Sequence, residues 1–383
     1  FKSPPMSLLP PTWIKCFGFW SIFEDFFVIK LTSPPVLILT TSTGEGHNQA
    51  AKSISTTFEK SGYEVITHDF LKNNSKFLTK LFIKGYEISA SFLPKTYGVG
   101  YKITDTSFTN KLLSFMFSIT KRKIKKMIED TKPNIILVTH PFAVSIISSL
   151  KRKGLDIPVI VIVTDFKAHA TYIDNNIDAY ITASENTKLD LANRGIDSRR
   201  IFSYGIPVKD EFLDNKLDIH STKNDGYFNI LLMSGSMGLK NISYVLKELL
   251  NNSNKLRITV VCGKNDKLKD SLLKEYNHSI KNKKLHILGF SRDIDCLMEY
   301  SDLIISKPGG LTVTEAINKH LPMLIPFAIP GQETQNVEFL TSNGYAINID
   351  NLLEINLIID NLISNPKELE KMKFNLLKKI TDK

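Results

Sequence analysis

Residues 302–336 read DLIISKPGGLTVTEAINKHLPMLIPFAIPGQETQN, and the order of residue types in them decides the fold. Leu303-Ile304-Ile305-Ser306 is a short apolar run of the kind used by a strand covered on both faces. The run breaks at Lys307-Pro308-Gly309-Gly310, after which residues 312–318 carry a helical pattern. A strand, a glycine turn and a helix start make an anion site. The glycines let a phosphate approach the main chain, while free N–H groups and the positive end of the helix dipole offset its charge. Glu315, one turn into that helix, is placed to accept hydrogen bonds from a ribose diol beside such a phosphate. Thr312-Val313-Thr314-Glu315 is equally a capping box, in which the carboxylate only satisfies backbone donors, and the stretch alone leaves both readings open. Met323-Leu324-Ile325 is the next strand. Beyond it, Gln332, Glu333, Gln335 and Asn336 form a polar cluster of the kind that suits a hydroxyl-rich ligand.

The same alternation extends upstream. Asn229 to Met233 reads as a strand, Ser234-Gly235-Ser236-Met237-Gly238 as a small-residue turn, and residues 241–250 as a helix. Residues 257–262 form a strand closed by Gly263, and residues 285–288 another closed by Gly289-Phe290. Asp293-Ile294-Asp295 spells the DxD of metal-dependent sugar transferases, but acids are favoured at a helix start in any case, so it is discounted. Residues 210–227 are polar and aperiodic, which marks a linker.

Before that linker runs a second βα series. Val36-Leu37-Ile38-Leu39 is a buried-strand pattern, followed by Thr43-Gly44-Glu45-Gly46-His47 and a helix with Ala51, Ile54 and Phe58 on one face. The turn lacks the third glycine of a dinucleotide fingerprint and says only that a ligand lies near a helix N-terminus. His47, in the first helical turn at the carboxyl edge of a parallel sheet, faces the crevice where such sheets bind ligands. The positive helix end lowers its pKa and so favours the neutral form that a general base needs. The strands at 135–138 and 159–163 end in Thr139-His140-Pro141 and Thr164-Asp165-Phe166, on the same edge. His169 follows Asp165 by four residues, so carboxylate and imidazole could meet; without a third ligand this is weak as a metal site and reads better as a substrate-positioning or structural hydrogen-bond pair.

The expected architecture is therefore α/β, two Rossmann-like doubly wound domains facing each other across a cleft. Residues 1–35 are an uncertain leader, 36–209 the first domain, 210–227 the linker, 228–366 the second domain and 367–383 a C-terminal helix. A chain of 383 residues with 42% apolar composition can bury two full cores. Cys16, Cys262 and Cys296 form no metal spacing and cannot all pair, which fits a reducing cytoplasm. Residues 13–29 come nearest to a membrane span but are interrupted by Lys15, Glu24 and Asp25. A net charge of +10 calls for an anionic partner. Lys121-Arg122-Lys123-Ile124-Lys125-Lys126 follows an aromatic and apolar segment, and Phe77, Leu78, Leu81 and Phe82 are interleaved with lysines. That pattern favours an anionic membrane surface over nucleic acid.

Taken together, Thr43-Gly44-Glu45-Gly46-His47, Thr164-Asp165-Phe166 with His169, Gly205-Ile206-Pro207, Val261-Cys262-Gly263-Lys264, Leu288-Gly289-Phe290, Ser306-Lys307-Pro308-Gly309-Gly310 through Glu315-Ala316, and Pro330-Gly331-Gln332-Glu333 resemble the monogalactosyldiacylglycerol synthase and processive diacylglycerol glucosyltransferase family. The likeness runs in order from about residue 36 to about residue 350. It implies a GT-B fold and inverting transfer of glucose or galactose from a UDP-sugar to diacylglycerol, without a metal or other cofactor. The implied setting is the cytoplasmic face of the cell membrane, with the chain bound peripherally. The resemblance makes His47 the base or its positioner, with Asp165 alongside, and Gly44 and Gly46 the opening of the loop. It puts Ser234, Gly235, Ser236, Lys307, Gly309, Gly310 and Thr312 at the diphosphate, Gly263 and Phe290 near uracil, Glu315 at the ribose, and Gln332 with Glu333 at the hexose. Tyr172 and Glu45 depart from the family pattern, which commonly has tryptophan and, in the plant-type loop, glycine there. Two other readings compete: a transferase of N-acetylglucosamine to a polyprenyl-diphosphate glycan, and a non-catalytic UDP-sugar sensor.

Overall fold

The computed structural model describes residues 35–42, 45–69, 118–213, 225–233, 241–276, 283–329 and 332–381. The expected leader, the aromatic-basic segments before residue 118, Gly44, and Ser234, Gly235 and Ser236 lie outside these residues. The chain divides into two compact units, each built on one six-stranded parallel sheet.

In the first unit the order of elements is β1 (Val36–Thr40), α1 (Glu45–Lys60), β2 (Val65–Asp69), α2 (Ser118–Thr131), β3 (Ile135–Val138), α3 (Pro141–Lys151), β4 (Val159–Ile162), β5 (Ala179–Ile181), α4 (Glu185–Asn193) and β6 (Ile201–Phe202). The sheet order is β2-β1-β3-β4-β5-β6, so β1 and β3 are neighbours although β2 comes between them in the chain. Burial follows that order. The uninterrupted apolar runs of β1, β3 and β4 are inaccessible along their whole length, while β2, at the edge, is only partly covered. Helix α1 packs Ala51, Ile54 and Phe58 against Val36, Ile38 and Ile135. Each large side chain so buried contributes roughly 1.5–3 kcal/mol. Helix α2 carries the basic run: Ile124 and Ile128 are buried, and Arg122, Lys123, Lys125 and Lys126 are exposed. Residues Asp210–Phe212, at the start of the expected linker, form a short turn held to α1 by the Lys60–Asp210 ion pair, with Phe212 buried.

The second unit contains β7 (Phe228–Met233), α5 (Asn241–Asn251), β8 (Leu256–Val261), α6 (Asp266–Glu275), β9 (Lys283–Leu288), α7 (Ile294–Tyr300), β10 (Leu303–Ser306), α8 (Gly310–Asn318), β11 (Met323–Ile325), α9 (Gln332–Ser342), β12 (Ala346–Asn348), α10 (Ile355–Ser364) and α11 (Pro366–Thr381). Its order, β12-β11-β10-β7-β8-β9, is that of a complete Rossmann sheet, with the direction of winding reversing between β7 and β10. The expected strand–turn–helix at residues 303–318 is present, but the helix begins at Gly310 and not at Thr312. Ile355, Ile359, Leu362, Leu369 and Met372 from α10 and α11 join the core of this sheet.

Candidate functional site

Parallel sheets bind ligands outside the carboxyl ends of their strands, where the winding reverses. In the first sheet that point lies between β1 and β3, and each strand delivers a histidine there. His47 is the third residue of α1. Its Nδ1 lies 2.9 Å from the Thr139 carbonyl and 2.8 Å from Thr164 Oγ1. A carbonyl only accepts, so Nδ1 carries the hydrogen and Nε2 keeps the lone pair. Burial lowers the His47 pKa from 6.5, opposed by the Asp165 carboxylate and the bond to Thr139. The ring is thus held neutral with a defined basic nitrogen, the state a general base requires.

Three further contacts support this arrangement. Thr164 Oγ1 lies 3.2 Å from the hydroxyl of Tyr172, which is fully buried, so the tyrosine that departs from the family pattern is linked to His47 through one threonine. Tyr180 in turn donates its hydroxyl to the Tyr172 carbonyl at 3.1 Å. His169 caps the short helical turn Ala170–Tyr172, its Nδ1 lying 2.7 Å from Thr171 Oγ1, and so supports the turn that carries Tyr172.

His140 is the member that the sequence did not single out. Its ring meets that of His47 edge to face, with centroids 4.4 Å apart. As N-cap of α3 its Nδ1 accepts the Phe142 N–H at 3.2 Å, which places its own hydrogen on Nε2. Burial, and then the neighbouring His47, push its pKa well below the ordinary value. The available signal was Pro141, whose preference for a first helical position makes the preceding residue a capping group.

In the second sheet the reversal point lies between β7 and β10. Helix α8 opens there on Gly309, with no side chain capping it. With Gly309 at the N-cap, Thr312 is the third helical residue and Glu315 lies past the first turn. The capping box, which needs its threonine at the N-cap, does not form. The main-chain N–H groups at the start of this helix, from Gly310, Leu311 and Thr312, have no partner within it and suit a phosphate. Gly309 has φ −67° and ψ 141°, open to any residue. A Cβ there would sit 3.8 Å from Lys307 Nζ in ordinary contact. Neither conformation nor neighbour demands glycine there.

The turn is held from α9. Asn336 Nδ2 donates to the Pro308 carbonyl at 2.8 Å, Lys307 pairs with the buried Glu333 carboxylate, and Glu333 Oε2 accepts the Ile329 N–H at 2.8 Å. Glu333 is therefore tied to the turn, while Gln332 opens α9 beside it. Along the same edge, Gly263 after β8 has φ +60°, a left-handed conformation that favours glycine. A Cβ on Gly289 would lie 3.9 Å from the Gly263 carbonyl, so the turns after β8 and β9 adjoin. Phe290 stands 62% exposed beside them, a large apolar ring offered to solvent. Asp295 of the DxD is buried. Among the described residues no group of three or more His, Cys, Asp or Glu side chains could hold a metal ion, and no helix is long and apolar enough to cross a membrane.

The family description monogalactosyldiacylglycerol (MGDG) synthase matches residues 47–208, and glycosyltransferase family 28 C-terminal domain matches residues 229–382. The processive diacylglycerol beta-glucosyltransferase of Bacillus pumilus (strain SAFR-032) is 31% identical over 360 residues, covering 90% of this chain and 91% of that protein. The protein of the same name from Bacillus cereus (strain B4264) is 30% identical over 353 residues, covering 90% and 89%. Among solved structures, Acinetobacter baumannii MurG superimposes with a TM-score of 0.59 at 18% identity, covering 90% of this chain and 94% of that one. The S. aureus MnaA–UDP complex gives 0.56 at 14% identity, covering 89% and 91%. These structures share the two-sheet α/β fold, the architecture expected of the chain.

Proposed function

The chain belongs to the family of processive diacylglycerol beta-glucosyltransferases, and from that membership and its two sites we propose that it moves a hexose from a UDP-sugar to the hydroxyl of diacylglycerol, forming a membrane glycolipid. The hexose is glucose, in keeping with the name its relatives carry. The observation that bears most weight is the neutral His47, with Nδ1 committed to Thr139 and Nε2 left as the basic nitrogen.

In this reading the diphosphate lies at the start of α8, where Gly309, Gly310 and Thr312 present main-chain donors and Glu315 receives the ribose. Gly263 and Phe290 take the uracil, and Gln332 with Glu333 orient the hexose. Ser234, Gly235 and Ser236 contribute to the diphosphate from the turn after β7. The acceptor hydroxyl gives its proton to His47 Nε2 as its oxygen bonds to the anomeric carbon. The bond from that carbon to the diphosphate breaks on the opposite side, and UDP leaves with the electron pair. This inverts the anomeric centre. Asp165 stabilises the imidazolium that forms. Main-chain N–H groups and the helix dipole offset the charge on UDP, so the reaction as proposed needs no metal or cofactor. The exposed basic face of α2 meets anionic lipid, which puts the chain peripherally on the cytoplasmic face of the membrane, with no role for nucleic acid.

The test is incubation of the purified chain with UDP-[14C]glucose or UDP-[14C]galactose and vesicles of diacylglycerol in anionic phospholipid. Labelled lipid is expected from the glucose donor. His47→Ala should abolish labelling while UDP still binds, and label at a near-normal rate from that variant would remove His47 from the mechanism.

A further inference from the structure

The Thr164 hydroxyl stands between the base and a buried tyrosine, and the direction of its hydrogen follows from the groups around it. Thr164 lies just past β4 and is 5% exposed. Among the described residues its Oγ1 bonds to His47 Nδ1 at 2.8 Å and to the Tyr172 hydroxyl at 3.2 Å. His47 Nδ1 bears the ring hydrogen, because the Thr139 carbonyl 2.9 Å away can only accept. A ring nitrogen that already bears hydrogen offers Thr164 no lone pair, so that hydrogen is shared between two acceptors, the Thr139 carbonyl and Thr164 Oγ1. Thr164 therefore sends its own hydrogen to the tyrosine oxygen. At this burial bulk water does not compete for it, and a buried hydroxyl hydrogen left without an acceptor is costly.

Tyr172 is held in place to receive it. Its side chain is fully buried at the end of the short turn Ala170–Tyr172, which His169 caps by accepting the Thr171 N–H at 3.3 Å. The hydroxyl of Tyr180, on β5 and equally buried, lies 3.1 Å from the Tyr172 carbonyl and 2.9 Å from the Asp174 carbonyl, and accepts the Asp174 N–H at 3.0 Å. The backbone is thus pinned on both sides of Tyr172, and its phenol oxygen stays beside Thr164.

Building on the proposed transfer, we propose that Tyr172 is a positioning residue for the base: by accepting the Thr164 hydrogen it commits Thr164 to accept from His47 Nδ1, and so keeps the lone pair on Nε2, where the acceptor hydroxyl gives up its proton. Without the phenol oxygen, Thr164 turns its hydrogen towards Nδ1 and favours the opposite tautomer, with hydrogen on Nε2 and no lone pair for the acceptor. The arrangement also serves the reaction itself. As the acceptor oxygen bonds to the anomeric carbon, its proton passes to Nε2 and no proton moves along the line from Thr164 to Tyr172. The Nδ1–H bonds to Thr139 and Thr164 then become charge-assisted, so they are strongest when the imidazolium forms. The other ionisable groups that act on His47 are His140, after β3, and Asp165, after β4. Neither is altered in the variants below.

The experiment uses the full chain with its histidines labelled with nitrogen-15, at about pH 8, above the ordinary histidine pKa. Ring nitrogens with and without hydrogen resonate apart, couplings to the ring hydrogens tell Nδ1 from Nε2, and the His47 signals are those that His47→Gln lacks. The parent should carry its hydrogen on Nδ1. In Tyr172→Phe, which loses only the phenol oxygen, the hydrogen should divide between the two nitrogens. Its kcat for glucose transfer should fall about tenfold, as the loss of one hydrogen bond's preference implies, with KM for UDP-glucose within about twofold of the parent. Tyr172→Phe with Thr164→Val removes the misdirected donor as well, so it should return the hydrogen to Nδ1 and bring kcat back to within about threefold of the parent. A role in packing alone predicts the reverse, a double variant worse than the single one. A parent with hydrogen on Nε2, an unmoved spectrum in Tyr172→Phe, or a double variant slower than the single overturns the inference. A parent chain that transfers no sugar overturns the proposed function, and the nitrogen spectra then decide this inference by themselves.

Discussion

The imidazoles of His47 and His140 meet edge to face at 73°, 4.4 Å between centroids, each with its tautomer fixed by a different backbone group. The Thr139 carbonyl fixes the hydrogen on Nδ1 of one, and the Phe142 N–H fixes it on Nε2 of the other. Both pKa values are lowered, by burial first, so in acid the unfolded chain binds protons that the folded chain refuses. The sign follows directly. The stabilising preference is fully present above the unfolded value of 6.5 and is lost as pH falls below it. Two such groups give a slope of up to about 2.7 kcal/mol per pH unit. Urea titrations between pH 7 and pH 5 should show that loss, and His140→Asn should halve its slope. A flat profile would mean that neither ring is held neutral.

In the proposed mechanism His140 serves as a positioning residue, through its ring contact with His47. Asparagine is a good N-cap, so His140→Asn preserves the start of α3 while removing the ring that shields His47 from water. With less desolvation the His47 pKa moves back towards 6.5, and the acidic limb of the kcat/KM profile should move to higher pH with it. A fall in kcat with an unmoved limb would reduce His140 to a helix cap.

What the sequence disclosed and what it withheld divide along covalent distance. The run Leu303 to Ser306, the turn at Lys307 and the helix after it are contiguous, so period and glycine placement sufficed to read them. The helical period is legible only from Thr312, two residues past the true start, because the helix opens on Gly310, a weak helix former that follows a second glycine. That late start is also what made a capping box conceivable. The His140 contact with His47 is not legible in the sequence, since it exists only because β3 pairs directly with β1, from which β2 separates it along the chain. The tie between Lys307 and Glu333 was hidden for the same reason, being made when α9 docks on the turn after β10.

Glu315 now stands as a residue past the first turn of α8, outside any capping role at the N-terminus. Glu315→Gln keeps the volume and removes the charge that best accepts two hydroxyl hydrogens. UDP affinity by calorimetry should fall about tenfold, equivalent to about 1.4 kcal/mol, with the melting temperature of the free chain hardly moved. A large loss of melting temperature with unchanged UDP affinity would assign the carboxylate to the fold.

The second unit also buries an ion pair with no part in the transfer. Lys319, just past the end of α8, and Glu299 of α7 meet at 2.9 Å with side chains 0% and 3% exposed. Two charges withdrawn from water depend on each other: their attraction offsets a desolvation cost that neither could bear alone. Lys319→Met leaves the Glu299 carboxylate without this partner in a low dielectric and should cost about 3–5 kcal/mol in urea unfolding. Adding Glu299→Leu removes the stranded charge and should return most of that loss, since an apolar pair of similar volume fills the same space. Recovery in the double variant is the decisive reading. Losses that simply add would show that the two residues stabilise the unit through separate contacts, and that the pair itself contributes little.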